Sequence, residues 1–367
     1  MRLTVPKALL AEHLQITAKA APPKSTTPVL EGILFQSDGQ TMTLTATNLE
    51  MGIRTSFPVP DQEKGEVVLP AKAVEIIRKL PGDTVSLTVN EENFLTEIKS
   101  GQSEFQLYGL STEEYPAFAD LSADSGQYAC EIKAGEFRRA LRQTLFAASQ
   151  DEGKPAFTGI MFTLKDNTLT LSSSDTFRLA TTSCRVQNQG ADGIFLVPAK
   201  NLQEVIRILT DDEDSVQLAV ADNQLLITCK NIKLSSRLLD ENFPNIDRVI
   251  PREFSGRATV DVADFLHAVE RASLLSEGVN HVVRLSIGEE GLVIRASSKF
   301  GKTQEHVPVE LSGEGLEISL NSRFILDMLK VHEGDQCILE LTNANKPCIL
   351  RDSLYQEYLY LVLPIKI

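Results

Sequence analysis

Positive charge is in short supply. The 367-residue chain carries 36 Lys and Arg against 50 Asp and Glu, a net charge of −14. Phosphate binding needs clustered cations, so the total on its face argues against a nucleic-acid partner. Long apolar runs are also missing. The longest, at 359–365, falls far short of the roughly 20 residues a membrane helix needs. The amino-terminal stretch is interrupted by Glu12 and His13, so no secretory leader is expected and the reading is cytoplasmic. Cys130, Cys184, Cys229, Cys337 and Cys348 form no CxxC pair. They read as free buried thiols in a reducing compartment, not as disulfides or metal ligands.

Catalytic constellations are absent too. The chain has no HExxH, no GxSxG, no P-loop and no kinase signature set. Its histidines, at 13, 267, 281, 306 and 332, include no i,i+4 pair that could share a metal. Gly313 and Gly315 begin a dinucleotide-like string that lacks its third glycine, and read as a turn. Asp211, Asp212, Glu213 and Asp214 read as a solvated acidic turn without the alternated ligands of a metal cage. Asp175 has no accompanying nucleophile or second carboxylate. No catalytic residue, metal site or cofactor is expected.

What is present is a repeat. The length suits two or three domains, and 42% hydrophobic with 23% charged residues is ordinary globular composition. An apolar strand end followed by proline occurs at Pro6, Pro70 and Pro198, and the second interval is twice the first. Proline suits the first helical position, where its missing N–H is not needed. Steps of 64 also locate helices beginning near 134, near 262 and around 321. Each unit reads as a short strand, a helix of about three turns and three alternating strands. In the first unit those strands are 29–36, 41–47 and 51–57. The helices carry a 3.6-residue period, with Phe137, Leu141 and Leu145 on one face and Leu202, Val205, Ile206 and Leu209 on another. Alternate units match more closely than neighbours. Close to two steps on, Pro28, Gly32 and Ile33 recur as Pro155, Gly159 and Ile160, and Tyr115-Pro116 recurs as Phe243-Pro244. The expectation is an α+β fold of three similar domains, 1–125, 126–252 and 253–367, each a doubled β-α-β-β-β unit.

The repeat also reorganises the charge. The helical segments 6–20, 70–80, 135–149, 198–209, 263–276 and 320–331 together carry +6, which leaves −20 for everything else. Lys72 and Lys79 are seven apart and so share a face; Lys200 and Arg207 repeat that spacing two steps later. Arg138 and Arg142, four apart, flank the core positions of their helix, and Arg78 adds to the second. Any one such helix could be an ordinary solvated face. The repeated pairs beside an acidic remainder predict one shared basic surface. Having few groups to read base edges, it would contact phosphates without sequence readout.

Several segments resemble the bacterial beta sliding clamps, the processivity subunits of the replicative DNA polymerase. They are Arg2-Leu3-Thr4-Val5, Thr27-Pro28-Val29-Leu30-Glu31-Gly32-Ile33, Ser174-Asp175-Thr176-Phe177-Arg178-Leu179-Ala180, Phe243-Pro244-Asn245 with Arg248-Val249-Ile250-Pro251, and the ending Leu363-Pro364-Ile365-Lys366-Ile367. They occur in order over the whole chain. The resemblance implies a DNA-clamp fold closing as a head-to-tail homodimeric ring, its helices lining a hole for double-stranded DNA. It adds Lys24, on a loop, to the basic positions. For the dimer interface it implies Phe105 and Leu107 on an edge strand against Leu274 and Leu275, although these apolar residues could equally be intradomain core.

The resemblance further implies an apolar pocket that takes a short linear motif from polymerases, including repair and translesion polymerases, and from an ATP-dependent clamp loader. Its lining would be Phe157, Thr176, Phe177, Arg178, Leu179, Pro244, Arg248, Val249, Asn321, Phe324, Leu361, Val362, Leu363, Pro364 and Ile365, with Arg178 and Arg248 meeting polar or acidic groups at the rim. The family usually has His where this chain has Phe177, which makes the rim more apolar. The other readings are an interaction scaffold of the same fold that does not encircle DNA, motivated by the acidic helix 263–276, and an enzyme with an unrecognised site.

Overall fold

Six times along the chain a strand runs into a helix and then into a three-stranded meander. This is seen in a computed structural model that describes residues 1–60, 62–119, 128–276 and 281–366. The first unit is β1 (Arg2–Pro6), α1 (Lys7–Thr17), β2 (Gly32–Ser37), β3 (Thr41–Thr47) and β4 (Met51–Pro58). The second is β5 (Gly65–Pro70), α2 (Ala73–Lys79), β6 (Thr84–Val89), β7 (Leu95–Ser100) and β8 (Ser103–Tyr108). The third is β9 (Tyr128–Lys133), α3 (Ala134–Leu145), β10 (Gly159–Lys165), β11 (Thr168–Ser174) and β12 (Arg178–Arg185). The fourth, after a short β13 (Gln187–Asn188), is β14 (Gly193–Pro198), α4 (Ala199–Ile208), β15 (Ser215–Ala221), β16 (Gln224–Cys229) and β17 (Ile232–Arg237). The fifth is β18 (Gly256–Asp261), α5 (Val262–Ser273), β19 (Val282–Gly288), β20 (Gly291–Ser298) and β21 (Gly301–Val307). The sixth, after β22 (Val309–Gly313), is β23 (Leu316–Asn321), α6 (Ser322–Leu329), β24 (Gln336–Leu341), β25 (Cys348–Asp352) and β26 (Leu359–Val362).

The two halves of each repeat are interlocked. The strand that leads into each helix joins the meander of the other half, as β1 does with β6-β7-β8 and β5 with β2-β3-β4. Outer meander strands then pair across repeats, β4 with β17 and β12 with β26, all antiparallel. Among the described residues, two nine-stranded and two four-stranded sheets result. Because those pairings bind strands of different repeats, the chain divides into two compact units that do not coincide with the repeats. One comprises Met1–Gly135, Val186–Ala191 and Gln203–Leu238; the other comprises Glu136–Arg185, Asp192–Leu202 and Leu239–Ile367. The expected boundary at 125/126 lies outside the described residues.

Helical periodicity is satisfied by burial. Leu10 and Leu14 of α1, Phe137 and Leu141 of α3, Phe265 and Val269 of α5, and Ile325 and Met328 of α6 are fully buried, each worth about 1.5–3 kcal/mol. Leu145 and Ile206 are only half-buried, at the margin of their stripes.

Three expectations need correction. Pro6, Pro70 and Pro198 end strands instead of starting helices. Pro6 has φ −57° and ψ 128°, an extended cap conformation that the ring tolerates as readily as a helical one. Residues 28–31 form a 3₁₀ turn, so the first meander strand starts at Gly32, not at 29. The helices are also shorter than their sequence patterns. Lys19 falls in a 3₁₀ turn, Lys72 precedes α2 and Lys330 follows α6. The α-helices proper therefore carry +3 and not +6.

Candidate functional site

Of the eight basic positions, Lys24, Lys72, Arg78, Lys79, Arg142, Lys200 and Arg207 are exposed, and Arg138 is half-buried. Arg78 and Lys79 occupy the last turn of α2, where cations complement the helix dipole. Lys72 pairs with Glu75, and Arg207 pairs with Glu204 at 2.6 Å. Such exposed pairs are worth about 0–1 kcal/mol and yield readily to a phosphate. Arg139, next to Arg138 on α3, lies 4.0 Å over the Tyr355 ring and is held to the protein.

The acidic positions take structural roles. Asp214 and Asp211 face Lys230 at 2.7 and 4.0 Å, and Glu213 pairs with Lys133 at 2.7 Å. No group of three metal-ligating side chains occurs among the described residues. Buried His13 stacks on Phe57 at 4.6 Å, and burial lowers its pKa. Gly313, at φ +87°, makes the turn expected of it.

Strand β8 is the outer strand of its four-stranded sheet. Phe105 and Tyr108 on it are 41% and 82% exposed, while Leu107 is half-buried. Leu274, at the end of α5, is 76% exposed, whereas Leu275 packs against the core of its own unit. Phe105 and Leu274 are therefore the available anchors, and Leu275 belongs partly to the interior.

The residues expected to line the partner pocket lie in one unit, around the β12–β26 pair. Leu179 stands opposite Leu361, and Arg178 opposite Val362. Strand alternation sends these pairs to opposite faces. Leu179, Leu361, Leu359 and Ile349 form an apolar cluster, against which Ile246, Ile250 and Phe254 pack. Val249 and Arg248 ride exposed on the 3₁₀ turn at Ile246–Arg248 and its end. Leu363 continues the strand beyond β26, its N–H donating to the Phe177 carbonyl at 2.9 Å, and the Ile365 N–H donates to Ser319 O at 2.8 Å. Leu363 and Pro244 are exposed, and Pro364 and Ile365 are half-buried. Phe157 lies 5.9 Å from Phe243, centroid to centroid. Val362 is fully buried in the main core of its unit and lines nothing. Asn321 caps α6, its Oδ1 accepting the Arg323 N–H at 2.9 Å.

Arg178 differs from expectation. It is no rim cation: its side chain is only 11% exposed. Nε donates to Asp175 at 2.9 Å and Nη1 to Asp327 at 2.6 Å. The guanidinium lies 4.4 Å over the Phe324 ring and 5.5 Å from that of Phe146. Burial disfavours its charge, but Tyr360, Asp327 and Asp175 outweigh that and hold its pKa above the ordinary value. Arg178 thus braces β12 to α6. Asp327, which this brace needs, was not visible in sequence, because 149 residues separate the partners.

The turn before β12 presents Phe177. Asp175 Oδ1 accepts the N–H groups of Phe177 and Arg178, both at 3.0 Å, and Thr176 sits at φ +81°. A β-branched residue there is strained, and the turn carries Phe177, 59% exposed, with Lys154 Nζ 6.0 Å from its ring. No helix among the described residues is long and apolar enough to cross a membrane.

Family models described as the N-terminal, central and C-terminal domains of the DNA polymerase III beta subunit match residues 1–119, 131–245 and 247–366. A curated relative named "Beta sliding clamp" from Staphylococcus epidermidis is 33% identical over 378 residues, covering 100% of this chain and 99% of the relative. One of the same name from Staphylococcus aureus is equally similar. Among solved structures, a Bacillus subtilis DNA polymerase sliding clamp has 32% identity and a TM-score of 0.93, covering 100% of this chain and 99% of that one. The DNA polymerase III subunit beta of Pseudomonas aeruginosa has 27% identity and a TM-score of 0.93, covering 100% of both chains.

Proposed function

The chain belongs to the DNA polymerase III beta subunit family, and from that premise we propose how its residues carry out the family's role. The fold is the three-domain sliding-clamp fold, and the function is that of a DNA polymerase III processivity clamp. The domains are 1–125, 126–252 and 253–367, a division supported by the threefold recurrence of the interlocked β-α-β-β-β pair. Two chains close head to tail into a ring through Phe105 and Leu274. The exposed edge strand β8 and those two apolar side chains support this reading.

Lys24, Lys72, Arg78, Lys79, Arg138, Arg142, Lys200 and Arg207 line the hole and contact phosphates. The single observation that carries this assignment is charge: helices of a −14 chain present exposed cations at repeated positions. The contacts hold the duplex without reading it, while the acidic remainder repels DNA elsewhere. Partners bring a short linear motif to the Leu179–Leu361 groove, where apolar walls bury a leucine or phenylalanine side chain. The chain carries no P-loop, so loading onto closed circles depends on an ATP-driven partner. The clamp itself is no enzyme, and it works in the cytoplasm.

The test is charge reversal at Lys72, Lys79, Arg138 and Arg142 together. Binding to linear duplex should weaken, with the salt slope flattening by roughly 0.9 per lost phosphate contact. Circular dichroism should be unchanged. Retention on circular DNA equal to that of the parent at low salt would remove the lining assignment.

A further inference from the structure

The repeat builds the groove twice. Strands β2, β3 and β4 precede β10, β11 and β12 by one full repeat, and the turns that enter β4 and β12 share one hydrogen-bond plan. Asn48 Oδ1 accepts the N–H groups of Glu50 and Met51 at 3.0 and 2.7 Å, as Asp175 does for Phe177 and Arg178. Thr47 Oγ1 donates to Met51 O at 2.9 Å and accepts the Leu49 N–H at 3.0 Å; Ser174 does the same for Arg178 and Thr176. Leu49 takes the left-handed conformation, at φ +72°, where Thr176 takes it at +81°. The partner strands close identically, the Arg237 N–H donating to Glu50 O at 2.8 Å where that of Leu363 donates to Phe177 O. Each groove lies wholly within one compact unit.

The lining chemistry is inverted. Gly52 and Ser235 stand as a pair where the other groove has Leu179 and Leu361. A Cβ at Gly52 would come within 2.8 Å of Ser235 Oγ and 3.1 Å of the Phe118 ring, so glycine here makes room for the Phe118 ring as a wall of the groove. Thr45, Gln224 and Arg237 complete a cavity of about 150 Å³ with Leu49 at its mouth. Arg237 stands where the other groove has Leu363; it is exposed and has no ion pair among the described residues. Arg54 is not part of the lining: its guanidinium lies 4.5 Å from the Phe118 ring and its Nε donates to Thr45 Oγ1 at 3.3 Å. Among the described residues the lining holds one carboxylate, Glu50, which is already partnered.

We propose that this second groove binds a short, extended acidic peptide segment, its carboxylate on Arg237 and its backbone polar groups on Gln224 and Ser235. Charge complementarity selects the occupant: the floor offers hydroxyls and an amide in place of leucines, and an unpaired cation sits at the rim. The choice of a linear peptide rests on the reading of the first groove, although the groove's existence does not.

Gly52, Phe118 and Ser235 line this cavity. Backbone amide spectra of the full-length protein, titrated with acetyl-Leu-Asp-Leu-Asp-amide, read the site directly. The Gly52 and Ser235 amide signals should shift saturably at millimolar peptide, and the Asn-for-Asp peptide should shift them more weakly. R237E should weaken the effect roughly fivefold, the scale of an exposed ion pair. A variant lacking residues 363–367 should retain it. Motionless Gly52 and Ser235 signals, equal shifts with both peptides, or an unaltered R237E would each overturn the proposal. Anisotropy of a labelled leucine- and phenylalanine-bearing peptide reports on the first groove separately, so its loss of binding there would refute that reading and not this one.

Discussion

Replacing Arg178 by alanine separates a structural brace from a recognition residue. The guanidinium donates to two carboxylates, at 2.9 Å to Asp175 and 2.6 Å to Asp327. Asp175 keeps two backbone N–H donors after the change, so its charge is not orphaned, and the lost pair costs about 1 kcal/mol. Asp327 is 39% exposed, and solvent screening reduces its share to about 0.5 kcal/mol. Lost packing and cation–π contact with Phe324 and Phe146 adds about 1.5 kcal/mol. The total, about 3 kcal/mol, should lower the melting temperature by roughly 6–12 °C at 2–4 °C per kcal/mol. Scanning calorimetry or urea unfolding measures it. R178K should recover only part, because a point charge cannot serve both carboxylates as a planar fork does. R248A, at an exposed site without an ion pair among the described residues, should stay within about 0.5 kcal/mol of the parent. An R178A protein melting within about 2 °C of the parent would refute the brace.

Deleting residues 363–367 removes the strand extension hydrogen-bonded to Phe177 and Ser319; motif-peptide anisotropy should be lost while sedimentation still shows a dimer. F105D places a charge on an exposed edge-strand anchor, and sedimentation should shift to monomer at micromolar concentration; an unshifted dimer would exclude β8 from the interface. Burial pushes the Cys130 and Cys348 thiols up to about 12, from an ordinary 9.0. At pH 8 the thiolate fraction is then roughly one in ten thousand, and a disulfide reagent should label the native protein far more slowly than the urea-unfolded one. Because folding raises these pKa values, their stabilising contribution is present below about pH 9 and fades as pH rises toward 12, which alkaline unfolding curves measure.

Local pattern carried much of this protein. Alternation located the strands, as at Thr41–Thr47, and the 3.6-residue period located the helices, because both are properties of neighbours along the chain. The repeat exposed the β-α-β-β-β unit, since duplicated segments keep their spacing whatever the contacts. It also showed that the net charge of −14 conceals basic helices. Helix ends were less legible. Capping depends on one residue's φ and ψ, and Lys19, Lys72 and Lys330 accordingly fell outside helices that the pattern had extended over them.

Only tertiary structure decided which strands meet. The pairings of β4 with β17 and β12 with β26 join residues far apart in sequence, and loop-closure and register leave no local trace. Those pairings put Val362 in the main core and Leu361 in a smaller apolar cluster, two neighbours separated by the period of a strand. They also brought Asp327 to Arg178, making a buried brace of a residue that reads in sequence as a free cation. Composition and repeat determined what kind of molecule this is. Long-range pairing decided which side chain of each strand enters which apolar cluster, because only the packed partner selects the face.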